Sequence, residues 1–133
     1  MAARLLLLPA TLAVIAASSP KSPPDPATVA AGAKLYGQYC APCHGKGGAG
    51  DGPAAASLKP RPRNFRDHKQ LKSKTDEDLF KVIGKGGPAL GLSPVMVGWG
   101  GVLKEPQIRQ LVAFVRSTID SAAAGAAAKG RQP

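Results

Sequence analysis

Cys40 and Cys43 stand three positions apart and His44 follows at once, in the run Cys40-Ala41-Pro42-Cys43-His44-Gly45. Thiols at that spacing share one side of a tight helical turn, so each can add across one vinyl group of the same porphyrin. The histidine after the second thiol is then carried beneath the metal, where its imidazole can serve as an axial ligand. The C-x-x-C-H pattern therefore reads as covalent attachment of one haem c through Cys40 and Cys43, with His44 on the iron. No other cysteine exists in the chain, so none is left over.

Three other chemistries share parts of this pattern. A Cys40–Cys43 disulfide would close a very small, strained loop and stabilise little. A thioredoxin-like redox pair expects a βαβ neighbourhood, and no β-rich run lies nearby. Zinc needs further Cys or His ligands at close spacing, and only His68 remains.

An iron held by one histidine has a second axial position, and its occupant decides function. The candidates are Met96, His68 and an open site. Met1 belongs to a leader segment, so Met96 is the one thioether on offer. It falls in a Gly/Pro-rich stretch without helical periodicity, where a plain core role for methionine is less natural. His68 lies between Asp67 and Lys69, the setting of an ordinary exposed histidine. Met96 is the favoured ligand. A histidine–thioether pair stabilises ferrous iron and leaves no free position for substrate, which suits electron shuttling rather than bond-making.

Several elements must position these groups. Residues 1–18 read as a secretory signal: Arg4 gives a positive start, residues 5–17 are mainly apolar, and Ala16, Ala17, Ser18 and Ser19 offer cleavage positions. The run is too short to span a bilayer comfortably, and no other stretch could. The mature form is accordingly expected to be periplasmic, with no stable membrane span. Residues 19–27 are a Pro/Ser-rich flexible lead-in. A domain over residues 28–120 opens with a helix from the N-cap Thr28 to about Tyr39. Val29, Gly32 or Ala33, Tyr36 and Cys40 fall on its inner face and deliver Cys40 to the haem.

Gly45 to Gly50 spells G-x-G-x-x-G, but no strand precedes it and no βαβ unit follows, so it is a turn around the haem edge. Thr75-Asp76-Glu77-Asp78 forms a capping box for a second helix, whose apolar face holds Leu79, Phe80 and Ile83. Gly84 and Gly86-Gly87-Pro88 end it, and a Gly/Pro-rich loop leads through Gly91 and Pro94 to Met96 and Trp99. The last helix starts at Glu105-Pro106, with Ile108, Leu111, Val112, Val115 and Ile119 at helical spacing. Residues 121–133 read as a disordered tail.

Composition agrees with a small domain built around a prosthetic group. In 133 residues only 5% are aromatic, little for a core of this size, and a buried porphyrin would supply the missing apolar surface. The formal net charge is +10. Much of it lies in Lys59, Arg61, Arg63, Arg66, Lys69, Lys72 and Lys74, opposed within that segment by Asp67 alone. Such a segment is either a solvated loop or a docking patch for redox proteins with acidic surfaces. Export removes nucleic acid from consideration.

The order of parts resembles that of the class I c-type cytochromes, small monohaem electron carriers of bacterial periplasms. The likeness runs from Thr28 to Ile119 and rests on Gly32, Tyr36, Cys40-x-x-Cys43-His44, Gly52-Pro53, Met96, Gly98-Trp99-Gly100 and Phe114. The resemblance implies an all-α cytochrome c fold, with three main helices wrapped around one covalently attached haem and long Gly/Pro-rich loops. It implies thioethers at Cys40 and Cys43, and His44 and Met96 as axial ligands. It implies a bond from the outer His44 nitrogen to the Pro53 carbonyl, Trp99 near the propionate edge, and contact between Gly32 and Phe114 where the first and last helices cross. Val97 departs from the family, in which proline often follows the ligand methionine.

The expectation for function is a one-electron carrier, not an enzyme, between a dehydrogenase or membrane complex and an oxidase or reductase. The alternative is a haem-based gas-ligand binder or sensor with a labile Met96, which only the Val97 departure supports. A peroxidase would need distal acid–base groups, and nothing besides His68 is available.

Overall fold

The computed structural model describes residues 22–130. The signal segment 1–18, the first part of the lead-in and residues 131–133 lie outside the described residues. Within them the chain is all-helical, with no strand. Its helices are α1 (Pro26–Tyr39), α2 (Ala41–His44), α3 (His68–Leu71), α4 (Asp76–Lys85) and α5 (Glu105–Lys129). Single 3₁₀ turns at Ala55–Ser57 and Gly87–Leu90 interrupt the loops. This is the all-α arrangement that the resemblance implies, with α1, α4 and α5 as its main helices.

α1 begins two residues before the expected Thr28. Asp25 is the N-cap, its carboxylate accepting from the Thr28 N–H at 2.9 Å and from the Thr28 hydroxyl at 2.9 Å. Pro26 explains the shift: it lacks an N–H and its φ is already helical, so it occupies the first position and leaves capping to the acid before it. The backbone bond from Thr28, seconded by its hydroxyl, holds the Asp25 carboxyl below its usual range.

α1 and α5 cross at Gly32. A Cβ there would lie 1.9 Å from the Gln110 carbonyl oxygen and 3.0 Å from the Phe114 Cβ, so the bare glycine sets the approach. Tyr36, one turn on, is buried, and its ring meets Phe114 at 4.8 Å between centroids. The Gly32–Phe114 contact is therefore as expected. The α5 residues Ile108, Leu111, Val112, Val115 and Ile119 are all buried and join Leu79 and Ile83 of α4 in one core.

The capping box forms as read, Asp78 N–H donating to Thr75 Oγ1 and Thr75 N–H to Asp78 Oδ2. α4 runs through Gly84 and stops at Gly86, whose φ of 88° lies in the left-handed region. Arg116 ties α5 to the start of α4: its Nε is 2.8 Å from Asp76 Oδ1, and its terminal nitrogen donates to the Lys74 carbonyl.

The tail reading needs correction. α5 continues to Lys129 rather than fraying after residue 120. Alanine is the best helix former, and adding residues to an existing helix avoids the cost of nucleation, so residues 122–129 extend α5 although they bury little.

Candidate haem cleft

The attachment motif is positioned by the end of α1. Cys40 closes that helix with its N–H on the Tyr36 carbonyl, and its own carbonyl receives Cys43 N–H at 3.1 Å and His44 N–H at 2.8 Å. α2 is thus a single turn that brings both thiols and the imidazole to one wall. The glycine-rich run behind it satisfies the turn's carbonyls. Gly45 N–H reaches Ala41, Gly50 N–H reaches His44, Gly52 N–H reaches Cys43 and Ala54 N–H reaches Pro42. A Cβ on Gly52 would lie 2.4 Å from the Pro42 carbonyl oxygen, which explains the glycine there. The Tyr36 hydroxyl donates to the Gly45 carbonyl at 2.7 Å and locks the same corner to the core.

His44 is buried, at 8% exposure. Its ring stacks on Phe65, 4.6 Å between centroids and 18° between planes, and its Nδ1 lies 3.1 Å from the Arg63 carbonyl. A carbonyl only accepts, so Nδ1 carries the proton and the Nε2 lone pair is left for a metal. Burial pushes the His44 pKa down, more than the Arg63 carbonyl raises it, which keeps the ring neutral, as a ligand must be. Burial, aided by the neighbouring Cys43, pushes the Cys40 thiol up to about 12. Redox-active dithiols need the opposite shift. The two cysteines are not joined, and among the described residues no cluster of three or more His, Cys, Asp or Glu could hold a metal ion.

The wall carrying Cys40, Cys43 and His44 faces a cleft of about 410 Å³. Met96 and Trp99 line it from the loop after α4, Val82 from α4, and Leu58 and residues 60–64 from the extended segment before α3. Trp99 also packs on Tyr39, 5.1 Å between ring centroids. Four of the expected site residues around the iron (Cys40, Cys43, His44 and Met96) thus meet in one cleft together with Trp99. His68, the rejected ligand, does not line it.

Pro53 is the exception. It is exposed and away from the cleft, and the bond expected to reach its carbonyl goes to Arg63 instead. The reason is topological. Pro60 and Pro62 hold the following segment extended, and it runs back beneath the histidine, where Phe65 N–H bonds the Gly48 carbonyl. Arg63 and Phe65 were therefore missed as partners of His44. The one hint was an aromatic residue standing alone in a run of charges.

The donor set fits a covalently held haem. Two unjoined thiols lie on one turn, a neutral imidazole has its Nε2 available, and a thioether lines the same space. Leu92 and Val95 line the cleft while 36% and 42% exposed, apolar surface that a large planar group would cover. Arg61 and Arg63 line it as well, and their guanidinium groups suit carboxylates such as propionates.

A family model described as cytochrome c oxidase, cbb3-type, subunit III matches residues 27–115. Among solved structures, the chain is similar to one in the Kuenenia stuttgartiensis reducing HAO-like protein complex, at 32% identity and a TM-score of 0.53. The alignment covers 66% of this chain and 41% of that one, so the likeness spans well under half of the neighbour. No curated protein matches the sequence.

Proposed function

We propose that this chain, which belongs to the cytochrome c oxidase cbb3-type subunit III family and is a c-type cytochrome, is an exported one-electron carrier with His44 and Met96 as axial ligands. The observation that carries the reading is the convergence of Cys40, Cys43, His44 and Met96 on one cleft. When bound there, a haem supplies a metal that stores and releases a single electron. The protein's own residues do the remainder. Cys40 and Cys43 anchor, the Arg63 carbonyl and Phe65 orient His44, and the apolar walls keep water from the metal. With His44 and Met96 both holding the group, gain of an electron would need little rearrangement.

The signal segment supports a periplasmic site of action. No helix among the described residues is long and apolar enough to cross a membrane. The matched family describes an oxidase subunit and the structural neighbour belongs to a reducing HAO-like protein complex, which supports redox proteins as partners, as donor or acceptor. The basic segment 59–74 favours partners with acidic docking surfaces.

A redox titration followed by absorption tests the reading. The ferric protein should show the sulfur-to-iron band, lose it on reduction, and lose it outright in Met96→Ala. Carbon monoxide added to the reduced wild type separates the carrier from a gas binder. Slow or absent reaction at neutral pH is expected, and rapid binding would turn the assignment toward a sensor with a displaceable Met96.

A further inference from the structure

Met96 belongs to a loop that meets α4 mainly through its backbone. Val97, its neighbour, is 57% exposed, so its side chain secures little. What ties the loop to α4 is backbone. The Met96 carbonyl accepts from Gly87 N–H at 2.9 Å, Trp99 N–H donates to the Ile83 carbonyl at 2.8 Å, and Gly100 N–H donates to the Gly84 carbonyl at 2.9 Å. Residues 96–100 therefore run alongside the end of α4.

The two strips of chain touch through glycine. A Cβ on Gly98 would lie 2.6 Å from the Lys85 carbonyl carbon, 2.8 Å from the Gly84 oxygen and 2.9 Å from the Gly86 nitrogen. A Cβ on Gly86 would lie 2.9 Å from the Met96 carbonyl oxygen and 3.0 Å from the Gly98 nitrogen. Every obstructing atom is main chain, so none can swing aside as a side-chain tip could. Ending α4 explains the positive φ of Gly86. It does not explain Gly98, whose φ is unremarkable and whose bareness serves only the close approach.

We infer that Gly86 and Gly98 form a main-chain seam that positions Met96. The seam fastens the loop to α4, a helix that is capped at Thr75 and anchored in the core by Leu79 and Ile83. Gly98 is a positioning residue: it does not line the cleft, and acts on the Met96 sulfur through the path of the backbone. The inference rests on the proposed ligation by Met96.

The test compares Gly98→Ala with Gly101→Ala in the exported, haem-loaded protein. Gly101 lies in the same loop, and a Cβ there meets nothing within 4 Å. Gly98→Ala should keep covalently bound haem, lose the ferric sulfur-to-iron band and gain carbon monoxide binding when reduced, whereas Gly101→Ala should match the wild type. A wild type that shows the band, with a Gly98→Ala variant that keeps it and refuses carbon monoxide, overturns the seam alone. A wild type without the band overturns the Met96 reading and the seam together. Should Gly98→Ala not accumulate, amide hydrogen exchange on the wild-type holoprotein decides. Protection at Gly87, Trp99 and Gly100 equal to that inside α4 supports the seam, and fast exchange at those amides overturns it.

Discussion

Nδ1 of His44 donates to the backbone carbonyl of Arg63, nineteen positions away in sequence and 3.1 Å away in space. The basic segment thus does more than carry charge: its main chain orients the His44 ring, while its side chains face the cleft and solvent. The same residue serves both ends, through different atoms.

Because the acceptor is backbone, Arg63→Ala should leave the His44 Nδ1 proton slow to exchange in the NMR spectrum of the reduced protein. Phe65→Ala, which removes the ring stacked on His44, should make that proton exchange faster and destabilise the fold by about 2 kcal/mol or more. Equal behaviour of the two variants would argue against a backbone partner.

At the α1–α5 crossing, Gly32→Ala would press a methyl group into the Gln110 carbonyl. Overpacking of this kind costs about 1–3 kcal/mol, so denaturant unfolding of the holoprotein should show a lowered midpoint. Gly37, where a Cβ meets nothing within 4 Å, provides the control on the same helix.

The capping box of α4 makes stability depend on pH. The Thr75 backbone N–H, seconded by the Thr75 side chain, holds the Asp78 carboxyl below its ordinary 3.8. A depressed carboxylate stabilises the fold above its unfolded-state pKa and loses that contribution as pH falls through the native value. Unfolding midpoints should therefore drop from about pH 5 to about pH 3, and Asp78→Asn should flatten that part of the profile. Thr75→Ala should cost about 1 kcal/mol at neutral pH.

If the basic segment steers an acidic partner, electron exchange with that partner should slow steeply as ionic strength rises through the range where the screening length shrinks to about 8 Å. Charge reversal at Lys72 and Lys74, which do not line the cleft, should slow association without moving the reduction potential. A rate indifferent to salt would leave the segment an ordinary solvated loop.

The residues that share the cleft stand out in the sequence. Cys40, Cys43 and His44 announce themselves by adjacency, and Met96 by being the one methionine besides Met1. The main helices follow from local signals as well: the Thr75 capping box, the Pro106 start and the apolar stripe of α5 each act within a few residues. Local reading fell short where two local signals competed. Pro26 moved the first cap to Asp25, and the alanine run kept α5 helical to Lys129 where a tail was expected.

What the linear order could not decide is which backbone atoms meet across long gaps. Pro53 had the motif, yet the Arg63 carbonyl has the place, because the route of a proline-stiffened segment depends on the whole packed domain. Gly98 stands in the Gly98-Trp99-Gly100 run, yet its close approach to α4 shows only in the fold. Side-chain chemistry and helical periodicity are properties of neighbours in sequence, and so the sequence alone determined them. Hydrogen bonds and close approaches between distant main-chain atoms carry no residue-type signature, and only the tertiary structure decided those.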